Sequence, residues 1–149
     1  MKIEYRNGDM FKTDIKVLAH GCNAQGVMGS GVAKIVRDDF PLAYNAYLNQ
    51  YAAITIGLAM GCIIPVEEND KVLINAITQQ FYGGEKKRYV SYDAVSDAMR
   101  NINEFCECRG HSHVAMPQIG AGLGGGNWNV IATIIESEFT NVKPVVYIY

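Results

Sequence analysis

The chain has 149 residues, with 13 basic and 15 acidic side chains, a net charge of −2 and 49% hydrophobic residues. This length and composition predict one packed domain over residues 1–149 and exclude a largely disordered chain. The slightly acidic balance argues against sequence-independent binding to nucleic acid, which requires a basic surface.

The chain shows no sign of export or membrane insertion. Its first residues lack the apolar segment of a secretory signal, and its longest apolar runs are too short to span a bilayer. Its four cysteines do not form the framework of a small disulfide-rich domain. We therefore expect a cytoplasmic protein with free thiols and no contact with a membrane.

Strands and helices alternate in the first half of the chain. The pattern of Lys2 to Arg6 predicts an edge or half-exposed strand, and Gly8-Asp9 predicts a turn. The apolar run from Lys16 to Cys22 predicts a buried strand. Helices are expected from Val32 to Asp39 and from Pro41 to about Ile54, where proline occupies the first turn.

Two more strands are predicted from Met60 to Val66 and from Lys71 to Ile77, joined by a polar turn. A polar loop over residues 79–89 precedes a long helix from Tyr92 to Arg109. Apolar residues recur at helical spacing in that segment, and Ser91 can cap it.

The C-terminal part continues the alternation. Gly110 fits the end of the long helix, and a strand follows from Ser112 to Met116. Asn127 is expected to cap a helix that ends at about Phe139, and Val145 to Tyr149 forms the last strand. The expected fold class is α/β, with three layers (α/β/α) and a mixed, mostly parallel central sheet.

Two glycine-rich loops each follow a predicted strand and precede a predicted helix. The first contains Gly26, Gly29 and Gly31, and the second lies in the segment from Met116 to Trp128. Such loops place backbone N–H groups and a helix N-terminus where an anion can bind. Both fall at the carboxyl edge of the sheet, where ligands bind in α/β folds. Together they suit a ligand with two or more phosphates.

Two familiar nucleotide motifs do not explain these loops. The string Gly120-x-Gly122-x-x-Gly125 matches a dinucleotide fingerprint, but one helix and one strand follow it instead of a βαβ unit. The first loop lacks the Gly-Lys-Ser/Thr ending of a P-loop, which argues against hydrolysis of nucleoside triphosphates. A phosphate-cradling turn of another α/β type is favoured over a flexible surface loop.

Three polar residues lie beside the expected ligand edge. A neutral His20 imidazole can act as a general base or attack phosphorus, and its alternative role is a hydrogen-bonded core histidine. Asn23 offers an amide to a ribose hydroxyl, or forms a turn. Asp9 can accept from the exocyclic amine of adenine, or serve the turn. Tyr147 and Tyr149 share a strand face and can stack on a base or pack in the core.

For two clusters of residues, a non-functional interpretation is favoured. The cysteines and histidines at 106, 108, 111 and 113 have a Cys-x-Cys spacing that suits tetrahedral zinc poorly, so no metal site is expected. The basic run Lys86-Lys87-Arg88 fits a solvated face, with steering of an anionic substrate as its alternative.

Motifs spread over nearly the whole chain resemble a macrodomain. They are Gly8-Asp9-Met10, His20-Gly21-Cys22-Asn23, Gly29-Ser30-Gly31-Val32-Ala33, Phe81-Tyr82-Gly83-Gly84, and Met116-Pro117-Gln118-Ile119-Gly120 with Trp128 behind it. Within that family, these motifs resemble the branch of yeast-type ADP-ribose-1''-phosphate phosphatases.

The resemblance implies roles for particular residues. Asp9 would bind adenine N6, with the Met10 backbone N–H beside it, and Asn23 would contact the distal ribose. His20 matches the histidine implicated in dephosphorylation. The expected ligand-binding set is completed by Val27, Met28, Gly29, Ser30, Gly31, Val32, Gln118, Ile119, Gly120, Ala121, Gly122, Leu123, Gly124 and Tyr149.

Two neighbouring branches fit less well. One removes ADP-ribose from carboxylates through a lysine and an aspartate, which would fall near Gln79 and Gly124. The other uses a pair of asparagines, where this chain has Asn23 with Gln25 nearby. The resemblance thus implies a monomer that hydrolyses ADP-ribose 1''-phosphate without metal or cofactor. The alternatives are a non-catalytic reader of ADP-ribose, a hydrolase acting on ADP-ribosylated protein or nucleic acid, and a binder of another nucleotide-derived signal.

Overall fold

Six strands form one sheet in the order β1-β6-β5-β2-β4-β3. The computed structural model describes residues 1–53, 57–83 and 87–148. The strands are β1 (Glu4–Asn7), β2 (Val17–Asn23), β3 (Ile63–Glu68), β4 (Lys71–Gln79), β5 (His113–Met116) and β6 (Lys143–Ile148). The helices are α1 (Gly31–Asp39), α2 (Pro41–Ala52), α3 (Tyr92–Cys108) and α4 (Trp128–Glu138), and a short 3₁₀ helix spans Met10–Lys12.

The sheet is parallel except at one edge. Strands β1, β6, β5, β2 and β4 are mutually parallel neighbours, whereas β3 pairs antiparallel with β4. Asn69 and Asp70 form the tight turn between β3 and β4 with φ values of 55° and 60°. The carboxyl ends of five strands therefore meet at one edge of the sheet. The mixed, mostly parallel sheet expected from the sequence is confirmed.

Helices cover both faces of the sheet, which confirms the three layers. One buried cluster includes Leu18, Leu73 and Tyr47 and lies between the sheet and helices α1 and α2. The other includes Ile74 and Ile135 and lies under α3 and α4. The long apolar strands β2 and β4 are buried on both faces, as central parallel strands require.

The helix ends show how local chemistry sets the elements. The Ser91 side chain accepts from the Ala94 N–H at 3.2 Å, and the Asn127 side chain accepts from the Asn129 N–H at 2.9 Å. Both caps are as predicted. Helix α1 differs, because its N-cap residue Ser30 makes no side-chain hydrogen bond to the helix. The first turn of α1 is therefore left open to an external acceptor.

Element bounds agree with the predicted ones to within a few residues. The predicted ends of the second helix at Ile54 and of the last strand at Tyr149 lie outside the described residues. Across the described ranges, no helix has both the length and the apolar character needed to cross a bilayer.

Candidate functional site

A pocket of about 680 Å³ opens at the carboxyl edge of the sheet, between the two glycine-rich loops. Its walls are the first loop with the start of α1, the second loop, and the segment after β4. The ends of β2 and β4 contribute its floor. The lining residues are His20, Gly21, Cys22, Asn23, Val27, Gly29, Ser30, Gly31, Val32, Ala33, Thr78, Gln79, Tyr82, Gly83, Pro117, Gln118, Ile119, Gly120, Gly122, Leu123 and Gly124.

The first loop offers backbone donors to this pocket. Within the described residues, no protein acceptor is hydrogen-bonded to the N–H groups of residues 29–33. The first turn of an α-helix has no intrahelical acceptors for its amides, and its dipole favours negative charge. Since Ser30 leaves this turn uncapped, the start of α1 is suited to an anionic ligand.

The second loop supplies a matching set of donors. The amides of residues 122–124 likewise have no protein acceptor in the described part of the chain. Two backbone hydrogen bonds fix the loop, because the Gly124 carbonyl accepts from the Tyr89 N–H at 2.7 Å and from the Val90 N–H at 3.0 Å. Gly120 has a φ of 79°, which favours glycine. The two runs of free amides line one pocket.

The described residues that line the pocket include no aspartate, glutamate, lysine or arginine. Any negative charge bound there is therefore stabilised by backbone dipoles and neutral side chains. Such a nest of amides can hold a diphosphate without a lysine. No ionised carboxylate among these residues repels the phosphates.

His20 borders the pocket but its side chain is only 1% exposed. Its Nε2 atom lies 2.6 Å from Asn75 Oδ1 on the neighbouring strand. Asn75 Nδ2 donates to the Ala43 carbonyl at 3.1 Å, so Oδ1 is the acceptor and His20 Nε2 carries the proton. Burial lowers the pKa of His20 to about 4, against the smaller raising effect of the Asn75 hydrogen bond. The imidazole is neutral at pH 7, with its lone pair on Nδ1.

A thiol lies beside this imidazole. The Cys22 Sγ atom is 3.4 Å from His20 Nε2. Burial raises the pKa of the Cys22 thiol above its usual range. Cys22 is therefore a neutral packing group and not a nucleophile at pH 7.

Asn23 ends β2 and organises the first loop. Its Nδ2 donates to the Val27 carbonyl at 2.7 Å, and its Oδ1 accepts from the Gln25 N–H at 2.9 Å. The buried hydroxyl of Tyr47 donates to the Asn23 side-chain and main-chain oxygens, at 2.9 Å and 2.6 Å. Asn23 therefore shapes the loop that carries the free amides, and it also lines the pocket.

Asp9 lies at the same sheet edge, after β1 and outside the pocket lining. Its Oδ1 accepts from the Phe11 N–H at 2.9 Å and so caps the 3₁₀ helix. Gly8 N–H donates to the Ile148 carbonyl at 2.9 Å, which ties this turn to the end of β6. The carboxylate is only half-buried. The proposed contact with adenine remains a prediction.

Three other expected ligand residues, Met10, Met28 and Ala121, are not among the described residues that line the pocket. The side chains of Met10 and Met28 are buried in the core beneath α1 and α2, so only their backbone atoms are candidates for ligand contact. Ala121 is in the second loop but does not line the pocket. Tyr149 lies outside the described residues. Tyr147 packs in the core, and its hydroxyl is 2.8 Å from Thr13 Oγ1.

The sequence did not single out Thr78 or Gln79 as ligand residues, although both line the pocket. They end a strand that runs parallel to β2. Ligands bind at the carboxyl ends of such strands, so the same rule that selected His20 and Asn23 could have selected them. Cys106 is buried, Cys108 is exposed, and the described residues contain no group of three potential ligands placed to hold a metal ion.

Comparisons with known proteins point to one family. The family model described as "Macro domain" matches residues 19–135. A Scheffersomyces stipitis protein named ADP-ribose 1''-phosphate phosphatase is 41% identical, over 90% of this chain and 93% of that protein. A Candida albicans protein of the same name is 28% identical, over 98% of this chain and 99% of that protein.

Similarity extends to a second activity and to solved structures. A Mycobacterium tuberculosis protein named DNA ADP-ribosyl glycohydrolase is 27% identical, over 96% of this chain and 40% of that protein. The solved structure of a macrodomain protein from Streptomyces coelicolor is 26% identical and superposes with a TM-score of 0.81, covering 99% of each chain.

Proposed function

Because the chain belongs to the macrodomain family, we propose that its pocket binds ADP-ribose derivatives and hydrolyses ADP-ribose 1''-phosphate to ADP-ribose and inorganic phosphate. The observation that carries the proposal is the pair of loops with free amides that line one pocket of about 680 Å³. Relatives named for this phosphatase activity support the choice of reaction.

Each part of the ligand is assigned to the protein groups that can hydrogen-bond or stack with it. The diphosphate lies between the amides of the first loop and those of the second. Asp9 and the Met10 N–H serve the adenine, and Tyr149 is a candidate for stacking on the base. Asn23 contacts the distal ribose. The remaining members of this proposed contact set are residues 27–32 and 118–124.

His20 is the proposed catalytic residue. Its neutral imidazole accepts a proton at Nδ1 while water attacks the terminal phosphorus. The new P–O bond forms to the water oxygen, the P–O bond to the sugar oxygen breaks, and the sugar oxygen takes up the proton that Nδ1 received from the water, which restores the neutral imidazole. The N–H groups of the loops and of the helix N-terminus stabilise the negative charge of the phosphates. The low pKa of His20 keeps the imidazole unprotonated at pH 7.

A second candidate function is removal of ADP-ribose from a macromolecule, which the relative named DNA ADP-ribosyl glycohydrolase favours. The described lining residues contain neither a lysine nor an aspartate, which counts against chemistry through that pair. A third candidate is a reader that binds ADP-ribose without chemistry. The backbone clamp suffices for binding in each case.

Three assays separate these functions. Calorimetric titration with ADP-ribose should give saturable binding with 1:1 stoichiometry, and its absence would remove the family's ligand from this chain. Incubation with ADP-ribose 1''-phosphate should then release phosphate. Binding without phosphate release would leave the reader or the glycohydrolase, and incubation with ADP-ribosylated DNA and protein would distinguish those two.

The chain is proposed to act as a single macrodomain and a monomer over residues 1–149, in the cytoplasm. Its four free cysteines, one of them exposed, suit a compartment that keeps thiols reduced. Size-exclusion chromatography with light scattering tests the oligomeric state.

A further inference from the structure

Thr78 lies at an irregularity of the sheet. Strands β2 and β4 pair in one register as far as Cys22 and Ile77, and the next pair is Asn23 with Gln79. Thr78 is therefore the extra residue of a β-bulge. Bulges are frequent beside functional sites. The Thr78 side chain lies on the same face of the sheet as Ile74 and Ala76, next to Ile119. At this bulge, Thr78 lines the floor of the pocket.

The Thr78 hydroxyl has no hydrogen-bond partner among the described residues, although the side chain is only 1% exposed. No side-chain nitrogen or oxygen in this part of the chain is both fully enclosed and unpaired. The unpaired hydroxyl is therefore the part of Thr78 that reaches the pocket. The Thr78 carbonyl accepts a hydrogen bond from the Ser91 N–H at 2.8 Å, so the hydroxyl is the polar group of Thr78 that is left for a ligand.

Gly21 keeps this hydroxyl uncovered. A Cβ atom on Gly21 would lie 2.8 Å from Thr78 Oγ1 and 3.1 Å from Ile119 Cγ2. Any larger residue at position 21 would thus crowd the hydroxyl. Gly21 directly follows His20, and both line the pocket. Neighbouring residues of a strand face opposite sides of the sheet, so the Thr78 hydroxyl lies on the side of Ile119 and the His20 imidazole on the side of α2.

We propose that the Thr78 hydroxyl donates a hydrogen bond to the 1''-phosphate of the substrate and sets the preference for ADP-ribose 1''-phosphate over ADP-ribose. This rests on the proposed function, because it takes the 1''-phosphate ester as substrate. The loop amides serve the diphosphate, whereas Thr78 lines the same pocket from the end of β4. A buried neutral donor matters there because the described lining residues provide no cation for the terminal phosphate.

The test compares Thr78→Val with Thr78→Ser. Valine keeps the shape but removes the donor, and serine keeps the donor. Thr78→Val should lower kcat/KM for ADP-ribose 1''-phosphate by roughly 10- to 100-fold, the range for a lost hydrogen bond to a charged group. Its affinity for ADP-ribose should change by less than about threefold, and Thr78→Ser should stay near the wild-type rate.

Thermal unfolding separates this role from a structural one. Because the hydroxyl has no protein partner, Thr78→Val should unfold at the wild-type temperature or slightly above it. The proposal is overturned by unchanged turnover in Thr78→Val, or by equal losses in both variants. It is also overturned by a loss of turnover that accompanies a lower unfolding temperature, or by an equal loss of ADP-ribose affinity.

Failure of the proposed function has a different signature. If the wild-type protein releases no phosphate but binds ADP-ribose, phosphatase activity is excluded. The affinity for intact ADP-ribose 1''-phosphate is then measured directly by calorimetry. A wild-type preference for the phosphate ester that disappears in Thr78→Val supports the Thr78 contact, and the absence of such a preference overturns it.

Discussion

His20 and Asn75 are direct partners across two neighbouring parallel strands, joined by a 2.6 Å hydrogen bond between imidazole Nε2 and amide Oδ1. Asn75 is completely buried and is itself fixed by its bond to the Ala43 carbonyl of α2. The pair therefore determines which ring nitrogen of His20 carries the proton. It also connects the pocket floor to the helical layer.

The first prediction concerns His20→Ala. Phosphate release from ADP-ribose 1''-phosphate should be lost, because no other described lining side chain is an ionisable base at neutral pH. ADP-ribose affinity should stay within about threefold of wild type, since the loop amides remain. The variant should unfold more easily, by roughly 2–4 kcal/mol, because it leaves a cavity and removes the 2.6 Å partner of Asn75 Oδ1.

Activity and stability must be read together for this variant. Assays are run well below its unfolding temperature, and the folded fraction is measured by circular dichroism. Full turnover per folded molecule in His20→Ala would remove the imidazole from the mechanism and leave it as a core residue that holds Asn75.

The second prediction is a pH dependence of stability that originates at His20. Its pKa falls from 6.5 in the unfolded chain to about 4 in the folded protein. Between these values the unfolded chain binds a proton that the folded protein does not. The folded state should therefore lose stability as the pH falls from 6.5 to 4, by up to about 3 kcal/mol from this group. Above pH 6.5 the contribution is constant.

Denaturant unfolding at a series of pH values measures this slope. His20→Asn removes the titrating group and keeps a neutral side chain that can pair with Asn75. The free energy of unfolding of the wild type minus that of the variant should be constant above pH 6.5 and fall as the pH decreases below it. Parallel curves from pH 7 to pH 4 would show that the imidazole is not held neutral by burial.

The layered fold was predictable because its signals are local. Local sequence sets the bounds of several elements. Examples are the apolar run of β2, the Ser91 and Asn127 caps and Gly110, whose effects extend over only a few residues. The carboxyl-edge rule then placed both glycine loops at one pocket. The mixed sheet follows from the short polar turn between β3 and β4.

The parts that escaped prediction depend on register and long-range contact. Asn75 stands in an otherwise apolar strand, and its pairing with His20 requires the alignment of β2 with β4 across 55 positions of sequence. The bulge at Thr78 is a feature of that same alignment. Tyr47 reaches Asn23 from a different element, which no helical periodicity reveals. The burial of His20 could not be predicted either, because a side chain near a strand end can lie at the pocket rim or in the interior.

The third prediction contrasts two glycines of the second loop. Gly120 has a φ of 79°, and a Cβ there would lie 2.7 Å from Val90 Cγ2. Gly120→Ala should therefore destabilise the fold by roughly 1–3 kcal/mol. A Cβ at Gly122 meets no atom within 4 Å, so Gly122→Ala should unfold within about 0.5 kcal/mol of wild type.

Chemical denaturation of both variants checks the contrast. Equal stabilities would mean that the loop adopts another backbone conformation at Gly120. Gly122→Ala has a further use, because its added methyl group lies in a pocket-lining loop and leaves folding unchanged. A loss of ADP-ribose affinity in this variant would report contact with the ligand itself.

The fourth prediction concerns Tyr47→Phe. The Tyr47 side chain is fully buried, and its hydroxyl donates to both oxygens of Asn23. Removal of the hydroxyl should cost about 1–2 kcal/mol of stability. It should also weaken ADP-ribose binding several-fold, because Asn23 then holds the Val27 turn and the free amides of residues 29–33 less firmly.

Calorimetry with ADP-ribose and denaturant unfolding give the two quantities for Tyr47→Phe. Thr133→Val is a matched control, because it removes a hydroxyl that donates to the Asn129 carbonyl on α4, outside the pocket lining. The control should bind ADP-ribose as wild type does. If Tyr47→Phe lost stability but bound with unchanged affinity, the amides of the first loop would be held by the backbone alone, and Asn23 would have no part in preorganising them.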